Sequence, residues 1–246
     1  MTRSLFRPAR HAAAITLILA ISALLIPATT VAGSPAPVFD PHDFSGHPID
    51  NAWFPLTPGT TLVYRGVKDG MHATNIIHVT HRTKIVAGVQ ATVIEDTLVQ
   101  DGRVREHTID WYAQDDHGNV WYLGERTATY DRRGNIEDTE GSWETGVDGA
   151  RAGIFMPAQP HVGDSYQQEY YPGHAEDHFR VMSLDVPVKT PYGDFDQALR
   201  TREWTPLEPG VRDAKFYARG IGEVVEMSVR GPREVLKLVQ VIRPTH

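Results

Sequence analysis

The sequence predicts an all-β protein: a single-domain antiparallel meander forming a barrel or strongly curved half-barrel, with one irregular crossing loop. Three observations carry that prediction. Runs rich in Val, Ile, Thr and Tyr recur about every eight to twelve residues, punctuated by Gly, Asp, Asn and Pro. No window past the first thirty residues sustains an apolar stripe with the 3.6-residue period of a helix. Where one hairpin can be registered, both faces mix apolar and charged side chains, which suits a barrel with a partly polar interior.

The elements follow in chain order. Arg3, Arg7 and Arg10 precede the apolar stretch Ala12–Ile26, and Thr30-Val31-Ala32 offers the small residues that signal peptidase reads. Residues 1–32 are therefore expected to be a signal peptide. The apolar run is too short for a comfortable bilayer span, so no stable membrane insertion is expected after cleavage. The chain has no cysteine, hence neither a lipidation site nor disulfides, although an oxidising compartment permits them. Residues 33–51 carry Pro35, Pro37, Pro41 and Pro48 without periodicity and read as an extended arm. Residues 52–246 read as one barrel-like domain.

Within that domain the expected strands are Thr61–Gly66, Thr74–Val86, Val89–Gln100, Arg103–Gln114, Val120–Gly124, Arg126–Tyr130 and Asp164–Tyr171. Phe179–Thr190, Phe195–Glu203, Arg212–Tyr217, Glu223–Val229 and Glu234–Ile242 complete the set. Trp143–Ala158 is the least strand-like stretch and is expected to hold a short helix or a crossing loop. Gly220 and Gly222, spaced by two, suit a sharp bend at a barrel corner, with Tyr217 capping the barrel end.

Charge narrows the partners. The formal balance is −7, and loss of the leader removes three arginines and no acid, giving −10. Such a surface repels nucleic acid and anionic membrane faces, so the expected partner is a small molecule or glycan. The expected location is the periplasm or the exterior.

Asp101-Gly102 is a strong two-residue turn signal, because a type I′ turn wants positive φ at both positions. With those residues as the loop, every opposing pair sums to 203. That register sets Asp96 opposite His107 and Ile94 opposite Ile109, and a carboxylate facing an imidazole is a candidate general-base pair.

The candidate ligand platform is the segment from Asp110 to Glu125. Two Trp-Tyr pairs on adjacent strands set Tyr112, Trp121 and Tyr122 beside the carboxylates Asp110 and Glu125, a mixture that suits sugars, flat organics or cations. Glu140 and Trp143 join them from the crossing stretch. The competing reading is that the rings fill the core. If the protein is instead a hydrolase or lyase acting on a carbohydrate or small organic substrate, Glu144, Glu169 and Asp177 are its candidate acid/base carboxylates. The same acids make calcium possible, though no EF-hand spacing is present and no cofactor is expected. His174 and His178 would stand about 13 Å apart on a strand, too far to share an ion. A structural module of an envelope assembly is the third reading.

The segments DWYAQDDHGNVWYLGE (110–125), EGSWETGVDGARAGIFMPA (140–158), SYQQEYYPGHAED (165–177), EWTPLEPG (203–210) and KFYARGIGEVVE (215–226) resemble a family of exported bacterial β proteins with no attached activity. That resemblance implies export and carries over no catalytic residue. TPYGDFDQALR (190–200) and FYARGIGEVVE (216–226) are similar to strands of periplasmic half-barrel proteins of the lipoprotein-carrier fold. This second likeness implies a curved antiparallel sheet with an apolar concavity, and no more.

Overall fold

Three consecutive hairpins with two-residue loops start the sheet. Asp69-Gly70, Ala87-Gly88 and Asp101-Gly102 each combine two positive φ values, the backbone a type I′ turn demands. They join β1 (Thr61–Lys68), β2 (Met71–Val86), β3 (Val89–Gln100) and β4 (Arg103–Gln114). The structure is a computed structural model that describes residues 37–244. The expected signal peptide, residues 1–32, and the first residues of the arm lie outside the described residues.

After β4 come β5 (Val120–Tyr130), β6 (Ile136–Asp138), β7 (Trp143–Glu144) and β8 (Arg151–Met156). Then follow β9 (Ser165–Gln167), β10 (Glu169–Tyr170), β11 (His178–Lys189), β12 (Asp194–Trp204), β13 (Arg212–Ala218), β14 (Gly222–Arg230) and β15 (Val235–Ile242). The order across the sheet is β10-β8-β5-β4-β3-β2-β1-β15-β14-β13-β12-β11-β9, with β6 and β7 paired to β5. All the pairings are antiparallel. The last strand pairs with the first, and the two ends of the order are β9 and β10, separated in the chain by Gln168 alone. The sheet is thus nearly closed into a barrel. The crossing stretch is irregular from Thr145 to Ala150 and then forms β8, whose Val120↔Met156 and Trp121↔Ile154 pairings were masked in sequence by its glycines.

Three β-bulges decide which side chains face inward, since one extra residue rotates everything beyond it to the other face. On β4, Val99↔Val104 is followed by Leu98↔Glu106, leaving Arg105 without an opposite. The 203 register therefore ends after two pairs: Asp96 faces Thr108, His107 faces Thr97, and the Asp96/His107 and Ile94/Ile109 pairings are overturned. On β5, Trp111↔Gly124 is followed by Tyr112↔Tyr122, so Leu123 is the extra residue. On β14, Phe216↔Val225 is followed by Tyr217↔Glu223, so Val224 is.

Gly124 makes the second bulge possible. Its φ is +139°, and a Cβ there would sit 2.4 Å from the carbonyl oxygen of Trp143.

The Pro-rich arm is extended, but its described part is docked. Asp40 caps a single 3₁₀ turn at Pro41–Asp43 through the His42 amide. Phe39 and Phe44 pack on Trp121 at ring separations of 5.4 and 6.4 Å. Ser45 donates to Asp116 from its amide and hydroxyl, and Gln114 accepts from the amides of Asp50 and Asn51. Ile49 is buried. Backbone polar groups with partners and rings with contacts fix this segment to β4 and β5.

Candidate functional site

Because neighbours along a strand point to opposite faces, each Trp-Tyr pair divides between inside and outside. Tyr112 and Tyr122 face inward and stack at 4.5 Å with an interplanar angle of 9°. Trp111 and Trp121 face outward. Lys84 lies over the Trp111 ring at 3.3 Å, and Trp121 donates from Nε1 to Asp115 beneath the arm. Phe54 and Phe155 extend the inner aromatic wall, 5.5 and 5.0 Å from Tyr112.

These rings bound a cavity of about 180 Å³ inside the barrel. Six carboxyl side chains line it: Asp96, Asp110, Glu169, Asp177, Glu203 and Glu223. The single basic lining residue is Lys215. Each bulge has a role in this assembly. The one at Arg105 brings Asp110 onto the face that carries Asp96. The one at Leu123 brings Glu125 and Tyr122 onto one face although they are three residues apart. The one at Val224 does the same for Glu223 and Glu226, both of which turn towards Lys215.

The two sides of the cavity differ in charge. Lys215 lies 3.3 Å from Glu203, 3.5 Å from Glu226 and 3.9 Å from Glu223. Those three carboxylates hold its ammonium protonated against the cost of burial. Across the cavity, the Tyr122 hydroxyl lies 2.5 Å from Asp110 and 2.7 Å from Glu125. Among the described residues no Lys, Arg or His forms an ion pair with Asp96, Asp110, Glu125, Glu169 or Asp177. Burial is the largest cause pushing all five upward, and repulsion from neighbouring members of the set adds to it for Asp96, Asp110, Glu125 and Glu169. Asp96 and Asp110 rise to about 8 and Glu125 to about 7, while Glu169 lies well above its ordinary range. Two other polar groups face the same space. They are the Gln168 amide, in a residue only 4% exposed, and the Tyr112 hydroxyl, in one 7% exposed, both open to the cavity.

The cavity thus brings together Asp110, Tyr112, Tyr122, Glu169 and Asp177 from the sequence-predicted set, with Glu125 attached through Tyr122. Trp143 is buried edge-on to Tyr122 at 5.4 Å, behind the wall. Trp121, Glu140 and Glu144 stand elsewhere. Glu140 contacts His174 at 2.6 Å on the surface, and Glu144 pairs with Lys84 at 2.7 Å. Gln168, Glu203, Lys215 and Glu223 escape a reading of the sequence, because isolated polar residues in strands ordinarily face solvent, and Asp96 is singled out there only as the partner of His107. One signal was present: Glu-Val-Val-Glu at 223–226 spaces its acids by three, which a regular strand cannot turn to one face.

Among the described residues, no group of three or more His, Asp or Glu side chains is disposed to hold a metal ion. No helix among them is long and apolar enough to cross a membrane.

No protein-family model matches the chain. No curated protein matches it either. Two solved structures align with it. A candidate exported protein with a YmcC-like fold from Bacteroides fragilis is 15% identical over 78% of this chain and 100% of its own, with a TM-score of 0.47. A candidate lipoprotein from Parabacteroides distasonis is 11% identical over the same shares, with a TM-score of 0.41.

Proposed function

We propose that this is an exported ligand-binding protein that takes a small polar organic ligand inside its barrel. One observation carries the reading: a preformed, aromatic-walled cavity gathers the carboxyl groups of Asp96, Asp110, Glu169 and Asp177, none of which has an ion-pair partner among the described residues. The Gln168 amide and the Tyr112 hydroxyl stand open to the cavity beside Asp110 and Glu169, where a ligand would meet them. Thermal-shift screening of the purified protein against sugars, amphiphiles, organic cations and calcium tests this. At least one class is expected to raise the melting temperature, and no shift from any at millimolar concentration would overturn the proposal. Export is checked separately by fractionation and intact mass, with a mature chain expected to begin near Gly33.

Glu169 and Asp177 lining one cavity favours a second reading, a hydrolase or lyase with a carboxyl acid/base pair. Turnover of chromogenic glycosides that is lost in Glu169→Gln would establish it. A purely structural envelope module has the least support, since it gives the cavity no purpose.

A further inference from the structure

We infer that the ligand is a compact organic ammonium ion, held between the Tyr112–Tyr122 wall and the carboxyl groups of Asp110 and Glu169. This rests on the ligand-binding reading and specifies its chemistry.

The charge inventory comes first. Lys215 spends its charge on Glu203, Glu223 and Glu226. The opposite wall holds Asp96, Asp110, Glu125, Glu169 and Asp177 with no protein cation among them. Carboxylates collected in a poorly hydrated space repel an anionic ligand strongly. A neutral sugar would meet their hydrogen-bonding capacity and gain nothing from the charge they can carry. A hard divalent ion wants six to eight oxygen ligands, and aromatic rings occupy much of the wall where those would stand. An ammonium group suits both surfaces at once, because a cation is attracted to ring faces as well as to carboxylates. Phe54, Tyr112, Tyr122 and Phe155 supply the aromatic lining, and the Gln168 amide and Tyr112 hydroxyl supply polar contacts for a second group on the ligand.

The cavity, at about 180 Å³, is many times the roughly 10–15 Å³ that one water needs and admits a choline-sized ion.

The site is also proton-linked. The groups facing it are Asp96 on β3, Glu106 and Asp110 on β4, Glu125 on β5, Glu169 on β10 and Asp177 before β11. Glu203 on β12, Lys215 on β13, and Glu223 and Glu226 on β14 complete the ring, with Lys68 of β1 paired to Glu234 behind them. Without a cation, protons neutralise part of this set near pH 7. An entering ammonium replaces a proton: carboxylic acid plus free ammonium gives an ammonium–carboxylate pair plus H⁺. Affinity therefore rises with pH through the range in which Asp110 and Glu125 titrate.

Isothermal calorimetry on the purified protein tests this. The probes are choline, tetramethylammonium and butylamine, against the uncharged choline isostere 3,3-dimethylbutan-1-ol and glucose, each at pH 6, 7 and 8 in two buffers of different ionisation enthalpy. The expected result is binding of at least one ammonium probe, tightening by up to about tenfold per pH unit for each proton released, with the isostere silent. Asp110→Asn should weaken that binding at least about tenfold. Glu169→Gln, which loses no internal hydrogen bond, should do the same with the melting temperature preserved. Equal binding of the isostere or glucose, or ammonium affinity flat with pH, would overturn the inference and leave the ligand-binding reading standing. No heat from any probe, joined to no thermal shift in the broader screen, would end both.

Discussion

Asp110 and Glu125 face each other across β4 and β5 and share the Tyr122 hydroxyl, at 2.5 and 2.7 Å. A phenol has one proton to donate, so it can serve only one of two ionised carboxylates. The other close contact is satisfied when a carboxyl group keeps its own proton and donates it to the phenol oxygen. This agrees with the upward displacement of both acids, to about 8 and about 7.

Stability should therefore fall as pH rises. Asp96, Asp110 and Glu125 titrate higher in the folded protein than in the unfolded chain, so the fold holds more protons between about pH 4 and pH 8. Their protonated forms contribute stability that is full below the unfolded values and is lost as pH climbs to the folded ones. The melting temperature without ligand is expected to be lower at pH 9 than at pH 5.5. Asp96→Asn and Asp110→Asn should each flatten that slope; a curve that rises with pH would contradict the assignment.

Removing the shared hydroxyl should be costly. Tyr122→Phe keeps the ring stack on Tyr112 and leaves Asp110 and Glu125 facing each other without a bridge. A loss of about 1–3 kcal/mol is expected from chemical denaturation. In combination with Asp110→Asn the two losses should not add, with a coupling of at least about 0.5 kcal/mol.

Gly124→Ala should unfold the protein or come close to it. The substitution places a Cβ at φ +139° and 2.4 Å from a backbone oxygen, so both the conformation and the neighbouring strand must change. The loss expected exceeds about 3 kcal/mol, and circular dichroism on the expressed variant would reveal it.

Trp143 and its neighbour Glu144 should separate cleanly. Trp143→Ala deletes a buried ring and is expected to cost about 3–5 kcal/mol. Trp143→Phe should cost much less, because the indole Nε1 is buried without a partner and its loss sacrifices no hydrogen bond. Glu144→Gln touches only the Lys84 pair and should leave ligand affinity unchanged within twofold. A larger change would show that the Lys84–Glu144 contact yields to ligand.

The docked arm offers a spectroscopic check. Replacing Phe39 and Phe44 with Ala should uncover Trp121, shift its emission to longer wavelength and open the peptide between residues 37 and 51 to protease. Unchanged emission and protease resistance would mean that the two rings do not hold the arm.

The strands were legible in sequence because their signals are local. Alternation and turn residues set the limits of β3 and β4 to the residue, and Asp101-Gly102 formed the expected turn. Facing was not legible, because it depends on where a strand takes up an extra residue. Arg105, Leu123 and Val224 look like any strand residue, yet each changes which charges point inward. Asp96 and His107 were mispaired for that reason alone. The candidates Asp110, Tyr112, Tyr122, Glu169 and Asp177 met in space because chemistry-rich segments lie on strands that the closure brings round to one interior. Glu140 and Glu144 did not join them, because the turns flanking β7 hold them against the surface partners His174 and Lys84.

Where a sheet ends, its unpaired amides and carbonyls ordinarily invite another chain to add a strand. Here the two terminal strands are three and two residues long and are consecutive in the chain, joined through Gln168, whose carbonyl lies where a Cβ on Gly153 would be only 2.3 Å away. Both margins are thus held by one short peptide, and a protein without disulfides gains protection against edge-to-edge aggregation from connectivity alone. Circular permutation separates this from ordinary loop tolerance. New termini opened at Asp101-Gly102 should leave the protein soluble, whereas termini opened at Gln168 should free both margins and yield fibrous or amorphous assemblies at the same concentration.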